Sequence, residues 1–160
     1  MPSTYTPISA TVLASNTSAV VFSGIPSTYT DLVLITNFGG TAGFNNQITI
    51  NSDTGTNYSE TDLGTNGATA SSASVSNVAF IRAGYIDTSA ERAMSMVNFM
   101  NYANTSTYKT VLIRWDSNSY TYARTSLWRS TSAITAVTCT SGAGAFTAGS
   151  TFALYGIKAA

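Results

Sequence analysis

Asp53, Thr54 and Gly55, inside the run "INSDTGTNYS" at residues 50–59, form the tripeptide that carries the catalytic carboxylate of an aspartic protease. That chemistry needs two carboxylates sharing one proton. A chain with one such tripeptide can supply them only as a symmetric dimer. Proteases of this kind place apolar residues just before the Asp and a small residue after the Gly. Here Asn51 and Ser52 precede and Thr56 follows, which suits an exposed turn. Asp53, Thr54, Thr56, Asn57 and Glu60 also offer oxygen atoms to a calcium ion. Calcium loops, however, usually bring several carboxylates, and the EF-hand spacing is absent. Asp and Gly are the residues that a tight hairpin turn needs. A turn is therefore the reading adopted for this stretch, with no catalytic residue, metal or cofactor assigned.

Other catalytic arrangements find no footing. The chain has no His, so a Ser-His-Asp set or a Cys-His pair cannot form. With one cysteine, Cys139, there is no internal disulfide and no plausible zinc set. Cys139 in "AVTCTSG" reads as a small buried strand residue. The seven acids, Asp31, Asp53, Glu60, Asp62, Asp87, Glu91 and Asp116, show no spacing that selects a glycosidase pair. No phosphate-cradling glycine motif lies beside a lysine. The chain is not expected to be an enzyme. One binding constellation stands out: Tyr120, Tyr122 and Trp128, with Arg124 and Arg129 between and after them. Aromatic rings so grouped can stack on the apolar faces of sugars, or fill a core or a subunit interface. Met94, Met96 and Met100 read as core or interface filling, because thioethers fill irregular gaps.

The elements that must position these residues follow from composition and alternation. Charged residues are 9% of the 160, far below the roughly 25% usual for soluble domains. In their place stand 26 Thr, 22 Ser and 12 Asn. Thr and the aromatics favour strands. Net charge is zero, so no long-range attraction draws the chain to nucleic acid. No basic run or amphipathic helix suggests a membrane surface, and no apolar stretch reaches the ~20 residues of a spanning helix. The start "MPSTYTPISATVLASNTS" has no basic segment or long apolar run, so no secretory signal is expected. A weakly charged surface lacks protection against association and suits a chain that lives in an assembly.

Alternation at period two dominates. "YTDLVLITNF" places Leu32, Leu34, Thr36 and Phe38 on one face, with Val33 and Ile35 opposite, so both faces of this strand are expected to be covered. "FNNQITI" sets Phe44, Asn46, Ile48 and Ile50 against Asn45, Gln47 and Thr49, and "GGTAG" between these runs reads as a hairpin loop. "VSNVAFIRAGYI" and "AMSMVNFMNY" are expected to form a middle pair. "YKTVLIRWD", "YTYARTSLWRS", "AITAVTCT" and "STFALYGIK" complete the series, with "GAGAFTAG" as the loop before the last strand. Residues 60–77, rich in Gly, Ala and Ser, read as a surface excursion or contact arm. The expectation is an all-β fold. It is an antiparallel, jelly-roll-like β-sandwich of eight to ten strands, built as one domain over residues 1–160.

The stretches "NSDTGTNYS", "NTSTYKTVL", "LWRSTSAITAVT" and "FTAGSTFALYGIKAA" resemble a group of small structural proteins of tailed bacteriophages, including phages of cyanobacteria. The resemblance runs from "YTPIS" to the last residue and is most specific in the C-terminal third; residues 60–105 do not match. It implies a place on the outside of a virion and makes the Asp-Thr-Gly stretch a family turn signature. A virion component also reconciles a Ser/Thr/Asn-rich composition with the lack of an export signal, since lysis would release it. The implied role is capsid decoration (cement), bridging major capsid protein or other virion proteins as a homo-oligomer, a trimer by expectation. The alternative is a tail fibre or receptor-binding module contacting a host glycan.

Overall fold

The computed structural model describes residues 4–158; residues 1–3, part of the segment read for a secretory signal, and residues 159–160 lie outside it. Among the described residues there is no helix, and twelve strands follow in chain order. They are β1 (Tyr5–Val12), β2 (Ala19–Ser23), β3 (Asp31–Gly39), β4 (Phe44–Ile50), β5 (Tyr58–Thr65) and β6 (Ala70–Val78). Then come β7 (Ile81–Ile86), β8 (Arg92–Phe99), β9 (Lys109–Asp116), β10 (Thr121–Trp128), β11 (Ala136–Ser141) and β12 (Thr151–Ile157). One sheet has eight strands in the order β1-β12-β3-β8-β9-β10-β5-β6, the other four in the order β2-β11-β4-β7. All neighbours are antiparallel. The fold is the all-β antiparallel sandwich expected from the sequence, with twelve strands in place of eight to ten.

Alternation places the core as read. Leu32, Leu34, Thr36 and Phe38 of β3 are fully buried, as are Asn46, Ile48 and Ile50 of β4. Val97 and Phe99 of β8, Val111 of β9, and Phe152 and Leu154 of β12 join them. Two polar members of this layer find partners, which burial favours: Thr36 Oγ1 and Ser95 Oγ lie 2.7 Å apart, and Asn46 Nδ2 donates to the Ala83 carbonyl at 3.3 Å, though Asn46 Oδ1 has no hydrogen-bond partner. Cys139 is buried, and burial pushes its thiol up to about 12. The loop before β12 sends Phe146 into the core, edge-on to Phe38, Phe44 and Phe152 at centroid distances of 5.6, 5.3 and 5.0 Å.

Four local expectations are corrected. "GGTAG" is not a hairpin loop, because β3 and β4 lie in different sheets. The same is true of β7 and β8, so they are not a middle pair. Residues 60–77 are no loop: they contain most of a β5–β6 hairpin, in register from Thr65↔Ala70 to Ser59↔Ser76, with a shift before Tyr58↔Val78. Its outer strand is polar because it is exposed on both faces, so no apolar alternation marks it. Finally, among the described residues the second face of β3 is covered only in part, with Ile35 half-buried and Asn37 exposed. Val33 is nevertheless 2% exposed, flanked in the sheet by its register partners Asn98 and Tyr155.

Eight strands facing four leave the β6 edge of the large sheet overhanging, exposed along most of its length, while the inner faces of β10 and β5 beside it stay buried. A buried charge cluster joins β5 and β10 to β7. Arg124 Nη2 donates to Asp62 Oδ2 of its register partner at 2.6 Å. Glu60 accepts from Arg82 Nε at 2.7 Å and from the Arg82 backbone N–H at 2.5 Å. Arg124 Nη1 in turn donates to the Arg82 carbonyl. Breaking such a set by removing one member typically costs about 3–5 kcal/mol.

Candidate functional site

The Asp-Thr-Gly stretch is the bend by which the chain leaves β4 in one sheet and enters β5 in the other. It is a turn as expected, though not between paired strands. Asp53 N–H closes on the Ile50 carbonyl at 2.9 Å, with Asn51 and Ser52 both left-handed at φ 51° and 59°. These are type I′ dihedrals. The Asn51 side chain pins the turn to residues 133–136, accepting from Thr135 and Ala136 N–H at 2.8 and 3.0 Å and donating to Ala133 O at 2.8 Å.

Every oxygen of Asp53 works for this bend. Its carboxylate accepts from Trp128 Nε1–H at 2.7 Å, from Gly55 N–H at 2.9 Å and from Asn57 Nδ2 at 3.0 Å. Its carbonyl accepts from the Tyr58 hydroxyl at 2.9 Å, which accepts in turn from Ile50 N–H at 3.0 Å. Burial raises the Asp53 pKa, but the Trp128, Asn57 and Gly55 hydrogen bonds outweigh it, and the net shift is downward. The carboxylate is thus held ionised by fixed donors. Glu60, the other carboxylate considered for calcium, is engaged by Arg82 and Arg124 instead. Among the described residues no three His, Cys, Asp or Glu side chains are grouped so as to hold a metal ion.

The aromatic constellation is only partly assembled. Tyr120 and Tyr122 sit together, 6.4 Å between centroids, but Trp128 is at the opposite end of β10 on Asp53. Trp128 lies six residues beyond Tyr122 and eight beyond Tyr120, roughly 20–26 Å of strand. Arg124 belongs to the buried charge cluster, and Arg129 holds Thr56 O and Asn77 Oδ1 at 2.6 and 2.8 Å. The structure supplies two other rings. Trp115, cross-strand from Tyr122, stacks on it at 4.9 Å with planes 8° apart. Tyr85 of β7 meets Tyr120 edge-on at 5.4 Å. The hydrogen bonds of both Tyr85 and Tyr120 to Asp87 raise their pKa values, so both phenols stay protonated.

These rings border a cleft of about 430 Å³ at the overhang, with Asn45, Asp62, Arg82 and Arg124 as its polar lining. Its size falls within the 300–1,000 Å³ usual for small-ligand sites. Trp115 was legible, since the "SNS" turn sets residue 115 opposite 122. Tyr85 was not, because it arrives from the other sheet.

A second surface lies on the outer face of the large sheet. One row of register partners reads Leu63, Ala123, Arg114, Met96, Ile35 and Ala153. Leu63 is 63% exposed, Met94 48% and Leu112 41%. The methionines therefore do not fill the core; they stand outward beside Leu112, where interface filling remains open to them. Shallow grooves flank Met96 and Arg114 on this face.

No protein-family model matches the sequence, and no curated protein matches it. Among solved structures, an exo-inulinase from Aspergillus awamori is similar over 96% of this chain at 7% identity and TM-score 0.48, and the chain spans 29% of that enzyme. A galectin from Caenorhabditis elegans is similar over 94% of this chain and 96% of its own, at 9% identity and TM-score 0.39. A xylan β-1,4-xylosidase from Bacillus halodurans is similar over 88% of this chain and 33% of its own, at 5% identity and TM-score 0.37.

Proposed function

We propose that this chain is a non-enzymatic structural protein of a tailed bacteriophage virion, a capsid decoration protein that binds the outside of the assembled head and stabilises it. The observation that carries the reading is the outer face of the eight-stranded sheet. There Leu63, Met94, Met96 and Leu112 present apolar side chains to solvent around the lone cation Arg114 in its row. Burying such a side chain fully is worth roughly 1.5–3 kcal/mol. Thioethers adapt to uneven partner surfaces. Contacts repeated over many copies on one shell reinforce each other, and binding only the assembled shell stabilises it by mass action. The resemblance of four stretches to phage structural proteins supports the same placement.

A second reading rests on a different observation, the Tyr85–Trp115–Tyr120–Tyr122 cleft, and makes the chain a tail-fibre or receptor-binding module for a host glycan. Rings of this kind stack on sugar faces, and the polar lining offers hydrogen bonds to hydroxyls. Gold-labelled antibody on intact particles separates the two. Label spread over the head is the expected result. Label confined to the tail end would transfer the proposal to the glycan reading, and unlabelled particles would sink both.

A further inference from the structure

The two sheets have four edges, and three of them carry features that block further strand pairing. β1 contains Pro7 and a register shift between Pro7 and Ser9. β2 is five residues long. β7 has a register shift against β4 and a left-handed Gly84, and its Arg82 N–H and carbonyl are taken by Glu60 and Arg124. β6 is different. It runs nine residues with no Pro, Gly or charged residue, and no charge occurs anywhere from Leu63 to Ile81. Its ladder to β5 is regular over residues 70–76, before the left-handed Asn77. The strand overhangs the smaller sheet and is exposed on both faces, so among the described residues no further strand pairs with its free edge.

We infer that β6 is the seam of a two-fold symmetric homodimer, in which residues 70–76 of two copies pair antiparallel about Ala73. The side chains fit this occupant. On the outer face Ser72 would stand opposite Ser74, and Ala70 opposite Ser76. On the inner face Ala73 meets its own copy, and Ser71 meets Val75. Ser72 and Ser74 set hydroxyl against hydroxyl, Ala70 with Ser76 and Ala73 with its copy set small against small, and Ser71 leaves room for Val75, so no pair carries a charge or a clash of large side chains. A chain of zero net charge brings no repulsion to the encounter. Antiparallel self-pairing satisfies the two-fold requirement that residue i meets j and j meets i. The product is one sixteen-stranded sheet, twice the eight of each copy. The two outer faces join across a serine-rich strip of β6 residues, and Ser71 and Ala73, which border the aromatic cleft, bring two clefts side by side. The inference holds whichever surface the dimer uses on a virion or a glycan.

The test is the mass of the purified full chain by size-exclusion light scattering, over a dilution series. The expected value is twice the 16.7 kDa chain mass. The Ser72→Lys/Ser74→Lys variant sets like charges opposite each other twice and is expected to weaken dimerisation about tenfold or more. Both sites are exposed, so its circular dichroism should match the parent. Thr11→Lys on the β1 edge should leave the dimer intact. Ala73→Cys should give a reducible covalent dimer, since the native thiol of Cys139 is buried and adds no background. A monomer at all concentrations, a trimer, or a dimer indifferent to the paired lysines would each overturn the inference. Because the readout is mass alone, failure here leaves the particle-labelling result untouched.

Discussion

At the scale of single residues, the feature that organises one end of the sandwich is Tyr58. Its ring is buried, and its hydroxyl joins Ile50 N–H to the Asp53 carbonyl across the chain's passage between sheets. Burial pushes its pKa up from 10.0 to about 12, the Ile50 N–H partly offsets this, and the Asp53 charge adds to it. The unfolded chain therefore releases this proton first on an alkaline titration. The stabilisation is fully present below pH 10 and is lost as pH rises from 10 to 12. Tyr58→Phe should cost about 1–3 kcal/mol at neutral pH by orphaning the Ile50 N–H. It should also flatten the alkaline decline by about 1.4 kcal/mol per pH unit, the share of one proton. Urea unfolding at a series of pH values measures both. Equal alkaline slopes for parent and variant would refute the assignment. That Asp53 sits in a turn was readable from its polar flanks. That Trp128, 75 residues on, supplies its shortest hydrogen bond was not, since nothing local links them.

At the scale of elements, β5 shows how a small residue places a large one. Gly64 is the register partner of Tyr122, and a Cβ there would lie 2.2 Å from Tyr122 Cδ1. The ring lies on the bare backbone while stacking on Trp115. A glycine inside a strand at such an approach is there because nothing larger fits. Gly64→Ala should force the ring off its stack, at about 1–3 kcal/mol of overpacking. It should also change the near-ultraviolet dichroism of the Trp115–Tyr122 pair. An unchanged spectrum with an unchanged melting temperature would rule this out. Elements with strict alternation, such as β4, β8, β9 and β12, were legible because one face of each meets the core. β6 was not, because a strand exposed on both faces has no apolar period to read. Its neighbour's hydrogen bonds define it.

At the scale of the whole molecule, the two candidate surfaces call for opposite outcomes from two variants. Leu112→Glu alters an exposed side chain of the outer face and should leave stability within about 0.5 kcal/mol. If decoration is the role, the variant should lose retention on heads stripped of the native protein, while Tyr120→Ala retains it. Co-sedimentation with stripped particles makes the comparison. Loss with Tyr120→Ala and none with Leu112→Glu would favour the cleft and a host glycan. The choice between these surfaces belongs to tertiary structure. The sequence by itself determined the class: scarce charge, abundant Thr and aromatics, and period-two alternation leave room for little but antiparallel strands. It also determined which face of each amphipathic strand turns inward, because burial of apolar side chains is a local rule repeated strand by strand. What only the tertiary structure decided is which strands share a sheet. The turn after β3 and the turn after β4 look like hairpin connections, yet each carries the chain to the opposite sheet. Turn chemistry fixes a change of direction, while the sheet a strand joins depends on partners as distant as β3 and β12 or β4 and β11. The cleft follows from that choice, since Tyr85 reaches Tyr120 only because β7 lies across from β8 and β9.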